Sequence, residues 1–117
     1  KGECNMTDCL FCKMVAGSIK PDVVYEDDDV LAFRDINPRA PTHILAIPKQ
    51  HIATMNDLND LQLAGKLLLT VAKLAEREGL SEAGYRTVIN CNENAGQEVF
   101  HLHLHLLGGR RMTWPPG

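Results

Sequence analysis

Three histidines alternate with leucines near the C-terminal end of the chain, in the run His101-Leu102-His103-Leu104-His105. Alternation with period two is typical of a β-strand, and it places the imidazoles on one face and the leucines on the other. Leucines indicate a face packed on a core, so the histidines should lie on a rigid, half-buried strand, where proteins hold reacting groups. The alternative is a row of histidines satisfied by backbone groups or water. Three histidines in alternation with leucines, followed by two glycines, favour the interpretation as reacting groups.

The spacing of the three histidines favours the middle one as the reacting group. Side chains two residues apart on a strand emerge about 6.5–7 Å apart, so His101 and His105 are about 13 Å apart. They cannot all bind one metal ion, because a zinc–nitrogen bond is only about 2.0–2.1 Å long. Neutral imidazole is a competent nucleophile near pH 7, and crowding disfavours charging two of the rings together. We therefore expect His103 to react, with His101 and His105 flanking it.

Length and composition predict a single domain over residues 6–117, with residues 1–5 before Met6 a remnant of cloning. A net charge of -3 gives no basic surface for a nucleic-acid polymer, whereas a mononucleotide needs only a local site. No apolar run approaches the roughly 20 residues that span a membrane, and no signal peptide is evident. We therefore expect no membrane partner, a cytoplasmic location, and cysteines that serve as thiols or metal ligands.

The pattern of apolar residues predicts an α+β fold, in which one long helix and a short N-terminal helix accompany an antiparallel sheet. The short helix is expected over 8–16, capped by Thr7 or Asp8 and ended by Gly17. The other expected elements are a hairpin of strands 23–26 and 30–34, a strand over 44–47, a helix over 61–78, a strand over 85–90 and the histidine strand.

Residues 101–107 match the pattern His-φ-His-φ-His-φ-φ, with φ apolar, and resemble the signature of the histidine triad nucleotide-binding superfamily. Residues 33–43 resemble its ribose-binding segment, residues 47–52 its Pro-Lys-x-His turn, and the ending 107–117 the branch of histidine triad nucleotide-binding proteins. The resemblance implies a sheet continued across a two-fold homodimer. It also implies hydrolysis of purine nucleoside phosphoramidates and aminoacyl adenylates, through a nucleotide bound covalently to His103.

A nucleotide site needs a holder for the nucleoside, donors for the phosphoryl oxygens and a proton for the leaving group. Asp35 can accept hydrogen bonds from both ribose hydroxyls, or it can form a local turn before Asn37. The resemblance assigns Ile36, Phe33 and Ile19 to the base pocket, and Asn90, Gln97, the Val99 amide and His105 to the phosphate or leaving group. Gly96 allows the loop to approach closely. Glu98 replaces a serine common in the family and leaves only a backbone contact. We expect His43 to support the triad and His105 to assist departure of the leaving group.

Cys9 and Cys12 have the i, i+3 spacing that places two sulfurs on one face of a helix, as in many zinc sites. Two ligands are too few for a structural site. The resemblance to bacterial members of the family adds His51 and His101, and thus implies a structural zinc ion. The alternative is two buried thiols that pack as small apolar groups. Cys4 and Cys91 have no partner pattern.

Two other functions remain open from the sequence. One is hydrolysis of dinucleoside polyphosphates, and the other is a nucleotide-binding adaptor whose hydrolysis is incidental. The C-terminal Trp-Pro-Pro-Gly segment, residues 114–117, is stiff and apolar. By resemblance it lies near the partner's active site in a dimer, and the alternative is a tail docked on its own subunit.

Overall fold

The computed structural model describes residues 8–117, so the expectations for residues 1–5, Met6, Thr7 and Cys4 lie outside the described residues. The elements in chain order are α1 (Leu10–Ala16), β1 (Val23–Glu26), β2 (Val30–Arg34), β3 (Thr42–Pro48), α2 (Leu61–Arg77), β4 (Tyr85–Val88) and β5 (Leu104–Gly108). Short 3₁₀ turns lie at Met55–Asp57 and Glu93–Ala95. No helix among the described residues is long and apolar enough to cross a membrane.

The five strands form one antiparallel sheet in the order β1-β2-β3-β5-β4. This confirms the expected α+β fold with a long helix and a short N-terminal helix. Within the sheet, His105 of β5 lies opposite Leu45 of β3 and Val88 of β4. The histidine run therefore leads into a strand that is bonded on both sides, which holds its backbone rigidly.

The two faces of the sheet carry two separate apolar clusters. Leu102, Leu104 and Leu106 are at most 2% exposed and pack with α2 on one face. On the other face, Phe11 of α1 packs with Phe33 and with further buried residues of β2 and β3. The histidines lie on the side of α1, since Phe11 contacts both His101 and His103. The alternation of leucine and histidine thus separates the two faces as predicted.

Strand β5 is shorter than the alternation suggests, because it begins at Leu104 rather than at His101. The last residue of β3 paired with β5 is Ala46, which lies opposite Leu104. Before that point the amide of Leu102 donates to the carbonyl of Ile52, which lies beyond β3. His101 and His103 therefore lie outside the strand ladder, and His101 lies in a bend.

Helix α1 begins later than expected, at Leu10, and its N-cap is Cys9 rather than Asp8. The sulfur of Cys9 accepts a hydrogen bond from the amide of Cys12 at 3.3 Å, which satisfies one of the free N–H groups of the first turn. Gly17 ends the helix in the left-handed conformation, as predicted. At the far end of the sheet, β4 stops at Val88, two residues before the expected end.

Candidate active site and metal-binding cluster

The ring of His103 is held by two contacts. Its Nδ1 lies 2.7 Å from the main-chain carbonyl oxygen of His101, and its ring stands at 86° to the ring of Phe11, with 5.1 Å between centroids. A carbonyl only accepts, so Nδ1 carries the proton and Nε2 keeps its lone pair. Nε2 makes no hydrogen bond to the described residues. It is also not fully buried, unlike Nε2 of His105. It therefore keeps access to solvent, as a nucleophile must.

A chain of hydrogen bonds sets the proton positions on the two neighbouring histidines. The amide of Arg39 donates to Nδ1 of His43 at 3.0 Å, so the proton of a neutral His43 is on Nε2. That Nε2 lies 2.9 Å from Nδ1 of His105 and donates to it. The remaining nitrogen of His105, Nε2, therefore carries a proton.

The proton on His105 Nε2 has no acceptor among residues 8–117. Among the described residues this nitrogen is the one buried side-chain polar atom without a hydrogen-bond partner. A buried donor without a partner costs about 1–3 kcal/mol, so such a group indicates a ligand or a catalytic role. The rings of His103 and His105 are 5.0 Å apart between centroids. The site thus places a nucleophilic lone pair beside an unused N–H donor.

All four histidines that meet at or beside this site are held neutral by burial. Burial lowers the pKa of His105 and His101 to about 4. It also lowers the pKa of His43 and His103, although the nearby carboxylate of Asp35 acts in the opposite direction on both. Neutral rings at pH 7 agree with the proton positions assigned from the hydrogen bonds.

Asp35 forms the local turn that the sequence left as an alternative, because its Oδ1 accepts from the amide of Asn37 at 2.9 Å. Its Oδ2 lies 3.5 Å from His43 Nε2. Asp35, His43 and His105 are close enough together to surround a cation. The hydrogen bonds argue against one, because Nε2 of His43 must hold its proton while Nδ1 faces the amide of Arg39. The group is better suited to orienting His105.

A second cluster brings together the four residues assigned to metal binding: Cys9, Cys12, His51 and His101. Nδ1 of His101 is 3.3 Å from the Cys9 sulfur and 3.6 Å from the Cys12 sulfur, and Nδ1 of His51 is 3.2 Å from the Cys12 sulfur. Ligands on a tetrahedral zinc ion would be about 3.4–3.8 Å apart, given its bond lengths. The four residues can therefore hold a metal ion.

Two of the four residues have a defined chemical state: the tautomer of His101 and the oxidation state of Cys12. Nε2 of His101 donates to the carbonyl of Pro48 at 2.8 Å, so the lone pair of His101 is on Nδ1, facing the sulfurs. Carbonyl groups commonly orient metal-binding histidines in this way. Cys12 is disulfide-bonded, so the expectation that the cysteines stay thiols does not hold for it. Its sulfur becomes a thiolate ligand only after reduction.

Gln97 supports the loop before the triad through its own side chain. Its amide nitrogen donates to the carbonyls of Ala53 and Val99, and its oxygen accepts from the amide of Asn92. Both amide hydrogens are thus in use within the protein, and Gln97 positions the backbone that leads to His101. Of the other residues assigned to the nucleotide, Phe33 is buried, Ile19, Asn90 and Val99 are half-buried, and Ile36, Gly96 and Glu98 are exposed.

Sequence reasoning missed Phe11, which contacts both His101 and His103. The available signal was an aromatic residue in the same turn as the two cysteines, although helix spacing alone does not place it on their face. The amide of Arg39 and the carbonyl of Pro48 were also missed. Backbone groups carry no mark in the sequence.

Comparisons with known proteins identify relatives over most of this chain. The family model described as the HIT domain matches residues 16–112. An uncharacterised HIT-like protein of Synechococcus elongatus is 55% identical over 94% of this chain and 97% of its own length. The purine nucleoside phosphoramidase of Escherichia coli K12 is 50% identical over 88% of each chain. The crystal structure of a HIT family hydrolase from Legionella pneumophila superimposes with a TM-score of 0.91 at 62% identity, covering 93% of this chain and 99% of that one.

The lowered pKa of His105 predicts a loss of stability in acid. Unfolding restores an ordinary histidine pKa near 6.5, whereas the folded pKa is about 4. The unfolded chain therefore binds more protons between these values, and the free energy of unfolding falls as the pH is lowered from about 7 to about 4. In His105→Gln this fall should be shallower, as measured by urea denaturation at each pH. An equally steep fall in both proteins would show that His105 is not held neutral by the fold.

Proposed function

The chain belongs to the HIT domain family and is a hydrolase, and we propose that it cleaves purine nucleoside 5′-phosphoramidates, with aminoacyl adenylates as related substrates. The observation that carries the proposal is the pairing at the triad: an accessible lone pair on His103 Nε2 beside a buried, unused N–H on His105. The Escherichia coli relative named purine nucleoside phosphoramidase supports this substrate class.

In the first step, Nε2 of His103 attacks the α-phosphorus and the phosphorus–nitrogen bond breaks. The ring becomes positively charged as it forms the new bond, and the His101 carbonyl stabilises that charge through the proton on Nδ1. The unused N–H of His105 stabilises the charge that develops on the phosphoryl group, and the leaving nitrogen takes a proton from solvent as its bond to phosphorus breaks. The leaving group departs as a neutral amine.

In the second step, water attacks the phosphorus of the nucleotidyl-histidine and releases a proton to solvent. The bond to His103 breaks, and the ring returns to its neutral form with the proton still on Nδ1. His43 keeps His105 in the required orientation throughout, because its own orientation is fixed by the amide of Arg39. The proton taken from solvent in the first step is thus returned, which completes the cycle.

Binding of the nucleoside is assigned to Asp35, Ile36, Phe33 and Ile19, and binding of the phosphate to Asn90, Gly96, Gln97, Glu98 and Val99. Support differs among them. Ile36 is 90% exposed, a large apolar side chain available to a base. Gln97 contributes indirectly, since its amide hydrogens are already used to hold the loop.

His103→Ala should abolish the activity, because it removes the lone pair that attacks the phosphorus. Hydrolysis of adenosine phosphoramidate should fall more than about a hundredfold, whereas Lys73→Ala on the exposed side of α2 should be unaffected. A variant that keeps more than about a hundredth of the activity would refute nucleophilic catalysis by His103. Faster turnover of diadenosine polyphosphates than of phosphoramidates would instead favour the dinucleoside hydrolase.

We also propose that the cluster of Cys9, Cys12, His51 and His101 holds a structural zinc ion. Two thiolates and two imidazole nitrogens form the closed set that structural zinc prefers. When bound, zinc would tie α1 to the segment before β5, since two ligands come from the start of α1 and one from His101.

Metal analysis of reduced protein, purified without chelator, should give about one zinc per chain. Cys9→Ser and His51→Gln should lose the metal. Cys91→Ser is the matched control, because Cys91 is a free and half-buried thiol outside the cluster. Clearly substoichiometric zinc in the reduced wild-type protein would contradict the proposal.

We propose further that the protein is a cytoplasmic homodimer whose sheet continues through β4. Among the described residues β4 pairs with β5 alone, which leaves its other edge open, and an open edge favours pairing with another strand. Arg86 of β4 donates to the carbonyl of Thr113 and lies 5.8 Å from the ring of Trp114. The tail therefore touches its own subunit, while Trp114 stays 80% exposed beside the open edge.

Light scattering should give a mass of about twice 13.0 kDa. Thr87→Asp puts like charges near the joint between two β4 strands and should yield the monomer. A wild-type protein that is monomeric at micromolar concentration would rule out the shared sheet.

A further inference from the structure

Phe11 touches the candidate metal cluster and the candidate nucleophile at once. It lies between Cys9 and Cys12 on α1 and is only 4% exposed. Its ring meets His103 at 5.1 Å and His101 at 5.9 Å between centroids, both near perpendicular. Beneath it, Phe33 meets the same ring at 5.5 Å. One side chain thus joins α1 to the reacting histidine.

Helix α1 needs an anchor to hold Phe11 in that place. It has seven residues, and isolated helices shorter than about 12–15 residues are marginal in water. Only Phe11 and Cys12 of this helix are buried. The sulfurs that flank Phe11 face His51 and His101, so whatever binds these sulfurs also fixes the position of the ring.

The orientation of His103 depends on few groups, because the strand ladder begins one residue later. Its Nδ1–H donates to the carbonyl of His101, the residue whose own Nδ1 faces the sulfurs. A single hydrogen bond leaves the ring free to rock about that contact. The rings of His105 and Phe11, at 5.0 and 5.1 Å between centroids, limit this freedom, and that of Phe11 stands nearly perpendicular to His103. The metal cluster can therefore affect the orientation of the His103 ring in two ways, through Phe11 and through His101.

We propose that Phe11 is a positioning residue that couples the metal cluster to the nucleophile and keeps Nε2 of His103 turned toward the phosphorus. The proposal rests on the assignment of His103 as nucleophile. It adds that metal bound by the cysteines acts on the rate of attack as well as on stability, although it lies away from the reacting atoms.

The kinetic test compares Phe11→Leu with wild type, each with and without metal, under reducing conditions. Leucine keeps an apolar side chain but removes the perpendicular ring. The rate of nucleotidyl-histidine formation, measured in single turnover, should fall about tenfold or more, with KM changed less than about threefold. Metal removal should slow the wild type by at least this factor and Phe11→Leu by less, because Phe11→Leu has already lost the route through the Phe11 ring and only the route through His101 remains.

The spectroscopic test needs no activity. In the reduced, metal-loaded wild type, nitrogen-15 spectra of His103 should show one form, with the proton on Nδ1. Phe11→Leu, or removal of the metal, should mix in the form with the proton on Nε2 or broaden the signals. Val71→Ala is the control: Val71 is buried on the opposite face, under α2, so this variant should melt at a lower temperature with the His103 spectrum and the rate unchanged.

Two results would overturn the coupling. An unchanged His103 spectrum in Phe11→Leu would show that the ring does not orient the nucleophile. A raised KM with an unchanged rate would show that Phe11 contacts the substrate instead. A wild-type protein inactive on phosphoramidates would refute the proposed function, while the spectra would still decide the coupling.

Discussion

The hydrogen bond from Nδ1 of His103 to the carbonyl oxygen of His101 decides which nitrogen can react. A carbonyl cannot donate, so the proton stays on Nδ1 and the lone pair stays on Nε2. When Nε2 attacks phosphorus, positive charge develops on the His103 ring, and the hydrogen bond from its Nδ1 becomes stronger. Without it the ring could adopt either tautomer, and a competent nucleophile would be present only part of the time.

Burial of the histidines lowers the stability of the free protein but gives the rings the state that the reaction needs. Low polarity keeps the rings neutral and leaves His105 with an unsatisfied N–H, and both features destabilise the free protein. The leucines on the opposite face offset this, because Leu102, Leu104 and Leu106 anchor the same segment in the core under α2. A well-packed segment can therefore hold the three imidazoles although one N–H, on His105, stays unsatisfied until substrate arrives.

Sequence patterns correctly predicted the elements that are determined by residues close together in the chain. The hairpin of β1 and β2 and the start of α2 lie where predicted, since a turn of acidic residues and a helical stripe of apolar residues from Leu61 mark them in the sequence. The period-two run correctly separated the faces, but it could not show where the ladder begins. That depends on Ile52, which receives the bond from Leu102 across fifty positions of chain.

The histidines and cysteines of the site were found by type and spacing. The positions of the histidine protons depend instead on backbone groups of Arg39 and Pro48, which no sequence pattern identifies.

Rapid quenching during turnover of adenosine phosphoramidate, followed by intact mass and peptide mapping, tests the mechanism most directly. One nucleotidyl group should appear on Nε2 of His103 and decay at the turnover rate. Turnover with no covalent nucleotide, or with the nucleotide on another residue, would contradict it.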